Sequence, residues 1–138
     1  MALVSQHDLD ALAAAARAAR EHAHAPYSRY RVGAALLDEH GRVHSGCNVE
    51  NAAYPQGQCA EASAIGALVA AGRSRVLEAA VIADSDVICV PCGGCRQRLR
   101  EFMPLDGTVH LCSASGERRT ATLEELLPLS FGPEVLPE

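Results

Sequence analysis

Apolar and polar positions follow distinct rhythms along this chain. Between Ser5 and His24 the sequence is alanine-rich, with Leu9 and Leu12 on one face, Ser5 placed as N-cap, Asp8 three residues on and Pro26 just beyond. That pattern predicts a helix from Ser5 to His24. Its small residues permit close packing against a sheet or a neighbouring helix, and equally suit a surface helix that uses alanine for propensity alone. Tyr30 to Leu37 and Arg42 to Glu50 carry valines and alternate in part, and Asp38-Glu39-His40-Gly41 between them supplies hairpin turn residues. Residues 51–58 read as loop from Pro55 and Gly57 and deliver the chain to Cys59, at the start of a second helix that Gly72 ends. Glu78 to Ala83 is a short apolar run suited to a buried strand, followed by a loop to Pro91 and a third helix from Cys92 to Phe102. Thr108 to Cys112 and Arg118 to Ala121 flank Ser113-Ala114-Ser115-Gly116 as a last strand pair, and Leu123 to Leu127 makes a short helix before Pro128. The order α β β α β α β β α implies a three-layer α/β/α sandwich around a mixed five-stranded sheet.

Length and charge narrow the picture. The 138 residues suffice for one domain, 1–138, with a core that needs no staples. Twelve basic against 17 acidic residues give a net charge of −5 with no basic stripe, which argues against a nucleic-acid partner. The N-terminal stretch lacks a secretory pattern and no apolar run approaches a membrane span, so a protein of the cytoplasm is expected. In that reducing compartment the six cysteines are expected as metal ligands or free thiols rather than a disulfide framework.

The candidate chemistry lies in Cys59-Ala60-Glu61 and Pro91-Cys92-Gly93-Gly94-Cys95. Alone, the Cys-x-x-Cys pair serves half of a structural zinc site, a redox couple or part of a catalytic zinc site. A structural site normally brings a fourth Cys or His at ligand spacing, and a redox pair has no use for a distant Cys-x-Glu. Cys59, Cys92 and Cys95 therefore read as three ligands of a catalytic zinc whose fourth position is open to water. Glu61 lies two residues from the first ligand, close enough to reach that water and move its protons. Its bland alternative is an acid in the first turn of a helix, stabilised by the dipole. Cys59 and Cys92 both fall at helix starts, where the positive end of the dipole favours thiolates. Cys89 reads as a buried small residue rather than a competing ligand, His22 and His24 as solvated, and Cys47 and Cys112 have no assigned role.

The chain resembles the small homotetrameric cytidine deaminases over nearly its whole length. The resemblance rests on Ala25-Pro26-Tyr27-Ser28, Val32-Gly33-Ala34-Ala35-Leu36, Gly46-Cys47-Asn48-Val49-Glu50-Asn51-Ala52, the two cysteine motifs with Arg96-Gln97, and Leu126-Leu127-Pro128 with Phe131. It implies that zinc on Cys59, Cys92 and Cys95 activates a water, and that Glu61 carries protons from it to the pyrimidine N3 and then to the departing amino group. It implies that Asn48 and Glu50 bind the ribose. On a strand these positions i and i+2 would face the same way. It further implies that the Ala60 backbone contacts the base, that Tyr30 stands beside the substrate where the family usually has phenylalanine, and that Phe131 stacks on the pyrimidine of a neighbouring subunit. By sequence alone Phe131 would sit in its own subunit's core, and Tyr54 is a candidate for a subunit junction.

One position departs from the family. The residue after the glutamate is often arginine, which helps neutralise the thiolates, and here it is Ala62. Arg96, beside Cys95, and the two helix starts are the candidates to supply the missing positive character. The expected activity is deamination of cytidine, and of deoxycytidine, in pyrimidine salvage. A blasticidin S-type deaminase is the alternative, disfavoured by the ribose pair Asn48 and Glu50. A non-catalytic zinc protein is disfavoured by Glu61, and editing of nucleic acid by the acidic balance.

Overall fold

The computed structural model describes residues 4–137. Its elements are α1 (Gln6–Arg20), β1 (Val32–Asp38), β2 (Val43–Cys47), α2 (Ala60–Ala70), β3 (Val76–Ala83), α3 (Gly93–Phe102), β4 (Thr108–Cys112), β5 (Arg118–Thr122) and α4 (Leu123–Leu126), with short 3₁₀ turns at Tyr54–Gln56 and Pro133–Val135. The strands form one sheet in the order β2-β1-β3-β4-β5, antiparallel except for the parallel pair β3 and β4, which α3 connects. The sheet is mixed and five-stranded and carries helices on both faces, as expected from the sequence.

The layers follow from which side chains each strand turns to which face. Leu12 and Ala16 of α1 pack on Ala35 and Leu37 of β1 and on Ala80 and Ile82 of β3. On the other face Ala60, Ala64 and Leu68 of α2, Leu99 of α3 and Leu123 of α4 meet Ala34, Leu36, Ala79 and Val81. β1 is buried on both sides, and so its sequence reads as nearly continuous apolar residues rather than a clean alternation. Two glycines set how close the helices come. A Cβ on Gly33 would lie 1.9 Å from the Ala16 carbonyl oxygen, and one on Gly46 would lie 2.4 Å from the Ala64 nitrogen. Helix backbone therefore rests on strand backbone on both faces.

Ser5 caps α1 as expected: its hydroxyl accepts from the Asp8 amide at 3.1 Å while the Asp8 carboxylate accepts from the Ser5 amide at 3.3 Å. The helix ends at Arg20, not His24. The His24 amide donates to the Asn48 carbonyl at 3.0 Å and the Glu50 amide to the His24 carbonyl at 2.8 Å, so this segment leaves the helix to pair with the chain beyond β2. The same pairing shortens β2. It stops at Cys47, and Asn48 and Glu50, expected on the strand, lie in the irregular segment after it. β1 likewise starts at Val32 rather than Tyr30, whereas β3 begins two residues earlier than expected, at Val76. Among the described residues no helix is long and apolar enough to cross a membrane.

Candidate metal centre and pocket

Both cysteine motifs sit where a helix begins. Cys59 is the N-cap of α2, Cys92 is the N-cap of α3, and Cys95 lies in the first turn of α3. Their sulfur atoms lie within 4.8 Å of one another, and Cys59 and Cys92 are 3.9 Å apart. All three cysteines are unbridged. Sulfurs at two corners of a tetrahedral zinc site with ordinary Zn–S bonds stand about 3.8 Å apart, so the spacing fits that ion. Burial pushes the Cys59 and Cys95 thiols above their ordinary pKa. At Cys92 burial acts the same way, but hydrogen bonds from the Cys95 backbone and from the other two thiols outweigh it and lower the group. Three thiolates cannot form side by side without a cation to hold them, and a thiophilic divalent ion is what this donor set suits.

A pocket of about 270 Å³ opens beside the thiols, at the end of the sheet where Val32 of β1 pairs with Ala83 of β3. Ala60 and Glu61 line it from the first turn of α2, with Cys59 and Cys92 at its wall. Glu61 is only 4 % exposed. Burial raises its carboxyl pKa, opposed by hydrogen bonds from its own amide and the Cys95 thiol and by the positive charge of Arg98. The opposite wall carries Tyr30, whose hydroxyl faces the Cys89 sulfur at 4.0 Å. Burial, with the Cys89 and Glu61 charges behind it, lifts the Tyr30 phenol to about 12, and burial lifts the Cys89 thiol to about 11. Both remain protonated. Cys89 is buried and outside the thiol cluster, as expected, yet it faces the pocket, which its sequence context did not reveal.

Asn48 and Glu50 also line the pocket, held by backbone rather than by a strand. The Asn48 side chain accepts from the Val32 amide at 2.8 Å and donates to the Tyr30 carbonyl at 2.8 Å. Glu50 accepts from the Tyr27 and Ser28 amides at 2.9 and 3.1 Å and from the Ser28 hydroxyl. The Ser28 bonds, first its hydroxyl and then its amide, pull the Glu50 carboxyl below its usual range despite some desolvation. An amide has one further N–H and lone pair, and a carboxylate about four lone-pair sites, so each side chain is fixed and still able to bind a ligand hydroxyl.

Residues 6–110 match the family described as the cytidine and deoxycytidylate deaminase zinc-binding region. The chain belongs to this deaminase family. It is 41 % identical over 129 residues to a cytidine deaminase of Sporosarcina psychrophila, covering 94 % of this chain and 95 % of that protein. It is 45 % identical over 116 residues to one of Halalkalibacterium halodurans, covering 84 % and 88 %. The crystal structure of the cytidine deaminase from Burkholderia pseudomallei superposes with a TM-score of 0.85 at 41 % identity, over 92 % of this chain and 99 % of that one.

At two deaminase-family positions the structure departs from one of the readings the sequence allowed. Phe131 is not in the core of the chain: it is 59 % exposed and absent from this pocket's lining, with its carbonyl accepting from Gln97 Nε2 at 2.9 Å. Among the described residues Arg96 makes no hydrogen bond to a sulfur. Its guanidinium donates to the Pro91 and Leu126 carbonyls, each at 2.8 Å, and ties the start of α3 to α4. Arg98 is the arginine that touches a thiol, with Nη1 3.4 Å from Cys95 Sγ. Ser28 and Arg98 are the site residues that sequence reasoning missed. The offset of three between Cys95 and Arg98, one turn along a helix, was the available signal for the second.

Proposed function

We propose that this protein hydrolyses cytidine, and 2′-deoxycytidine, to the corresponding uridine and ammonia. The observation that carries this reading is the convergence of three thiols from two helix starts on a pocket that also holds the buried carboxyl of Glu61. Cys59, Cys92 and Cys95 would hold zinc, which when bound supplies the Lewis acid that brings a water's pKa toward neutrality. Glu61 accepts a proton from the attacking water and delivers it to N3 of the ring, which makes C4 electrophilic. It then carries the second proton of that oxygen to the exocyclic amine. The C4–O bond forms, the C4–N bond breaks, and ammonia leaves. A carboxyl raised by burial suits a group that must both take and give a proton near neutral pH.

Asn48 and Glu50 bind the ribose hydroxyls, pre-set by the backbone of residues 27–32. The Ala60 backbone, at the first residue of α2, contacts the base, and Tyr30 flanks the substrate. Phe131 stacks on the pyrimidine bound by a neighbouring subunit of a homotetramer, a role supported by its exposure and its absence from the lining of its own chain's pocket. Unbridged thiols fit the cytoplasm and a place in pyrimidine salvage.

The test is ammonia release by zinc-loaded protein from cytidine, deoxycytidine and blasticidin S in parallel, with Glu61→Ala as control. Release from both pyrimidine nucleosides is expected, and loss on the order of a thousandfold in Glu61→Ala with zinc still bound. Turnover retained by Glu61→Ala, or release from blasticidin S alone, overturns the reading.

A further inference from the structure

Three thiolates around a divalent ion leave one net negative charge, and the position after Glu61 that often holds arginine in this family is Ala62. α3 carries three arginines at alternate positions, 96, 98 and 100. Two of them are committed elsewhere. Arg96 holds the Pro91 and Leu126 carbonyls. Arg100 donates to the Ser130 hydroxyl at 2.9 Å and pairs with Glu134. Arg98 pairs with no carboxylate among the described residues and instead donates from Nη1 to Cys95 Sγ at 3.4 Å. The geometry has a local cause. A residue three positions beyond Cys95 lies on the same helix face, and a long helical side chain runs back over the preceding turn. Position 94 is glycine, and a Cβ there would already stand 3.4 Å from Arg98 Nη1, so a larger side chain would crowd the guanidinium off the sulfur.

We infer that Arg98 is the counter-charge of the thiol cluster, a positioning residue that acts through Cys95 in place of the arginine missing at Ala62. An N–H donated to a thiolate draws electron density from the sulfur, which leaves a metal bound there a stronger Lewis acid. The inference rests on the zinc reading above and deepens it. Arg98 is not among the residues that line the pocket, so its loss is expected to lower turnover and leave substrate affinity in place.

Cobalt(II) in place of zinc tests this, because sulfur-to-cobalt charge transfer in the near ultraviolet reports the electron density on the thiolates independently of activity. Wild type, Arg98→Ala, Arg98→Lys and the double variant Arg98→Ala/Ala62→Arg are compared. The charge-transfer band of Arg98→Ala is expected at longer wavelength, with a smaller shift for Arg98→Lys. In the zinc forms kcat of Arg98→Ala is expected to fall roughly tenfold with KM changed less than about twofold, and Ala62→Arg is expected to restore both readouts. A band that stays at the wild-type position in Arg98→Ala and Arg98→Lys overturns the inference whatever kcat does, since a merely structural arginine would leave it there. Wild-type protein that takes up no cobalt, or takes it up without sulfur charge transfer, overturns the zinc reading instead, so the two failures are distinguishable.

Discussion

Asp38 and Glu61 are both enclosed carboxyls, and their surroundings push them in opposite directions. At Asp38 burial acts to raise the pKa. His44 Nε2 at 2.7 Å and the Arg42 and His40 amides at 3.0 and 2.7 Å outweigh it, and the group ends below the usual carboxylate range. Arg73 lies 3.4 Å away. Glu61 has fewer donors, burial prevails, and its pKa rises. One acid is thereby locked as an anion while the other is free to exchange protons. Because the folded pKa of Asp38 is depressed, its contribution to stability is present above the unfolded carboxylate pKa and is lost as pH falls through that value toward the folded one. Asp38→Asn is expected to cost about 2 kcal/mol near neutral pH by urea unfolding, a deficit that shrinks as pH falls from about 5 to about 3. A deficit that stays constant over that range would refute the charge argument. The turn residues 38–41 were legible in the sequence as a hairpin. That Asp38 is wholly buried, with Arg73 brought up to it from beyond α2, was not, because burial and that ion pair depend on how distant parts of the chain pack.

At the scale of elements, the two glycines of close approach separate stability from activity. Gly33 lets β1 meet α1, which carries nothing of the pocket, whereas Gly46 lets β2 meet α2, whose first turn carries Glu61 and whose cap is Cys59. Each substitution to alanine must push a helix backbone away, at about 3 kcal/mol, the upper end of overpacking costs. Gly33→Ala is expected to lower the unfolding midpoint while the folded fraction keeps its kcat. Gly46→Ala is expected to lower both the midpoint and kcat, because displacing α2 moves Glu61 relative to the thiols of α3. Equal kcat per folded molecule in the two variants would show that the α2 contact does not position the site. Helix starts at Cys59 and Cys92 were readable from the motifs and their flanking residues. The ends of α1 and β2 were not, because the pairing of His24 with Asn48 and Glu50 is a long-range hydrogen-bond choice that no local window contains.

The whole molecule carries more apolar surface than its own chain covers. Tyr54 is 74 % exposed and stacks edge-on against Tyr27, and Leu129, Phe131, Val135 and Leu136 stand out near the C-terminal end. In the proposed trans role, Phe131 contributes only where another subunit's pocket receives it. Phe131→Ala and Glu61→Ala homo-oligomers are each expected to be impaired. Co-expressed, they should recover activity in about a quarter of the sites, those pairing an intact Glu61 with an intact neighbouring Phe131, if subunits assort at random in a closed oligomer. Mixed oligomers no more active than the average of the two parents would place Phe131 in the service of its own chain.

The sequence by itself determined the helix caps, the hairpin turn, the mixed α/β order and which residues are candidates for the chemistry, since capping, turn conformations and motif spacings are short-range properties of neighbouring residues. Tertiary structure decided that Arg96 turns away to the Pro91 and Leu126 carbonyls, what holds Asn48 and Glu50 in place and that Phe131 stays exposed. Each depends on side chains distant in sequence or competing for the same partner. Arg96, nearest the motif, was drawn to the Pro91 and Leu126 carbonyls, and the helical repeat carried Arg98 to Cys95 in its stead.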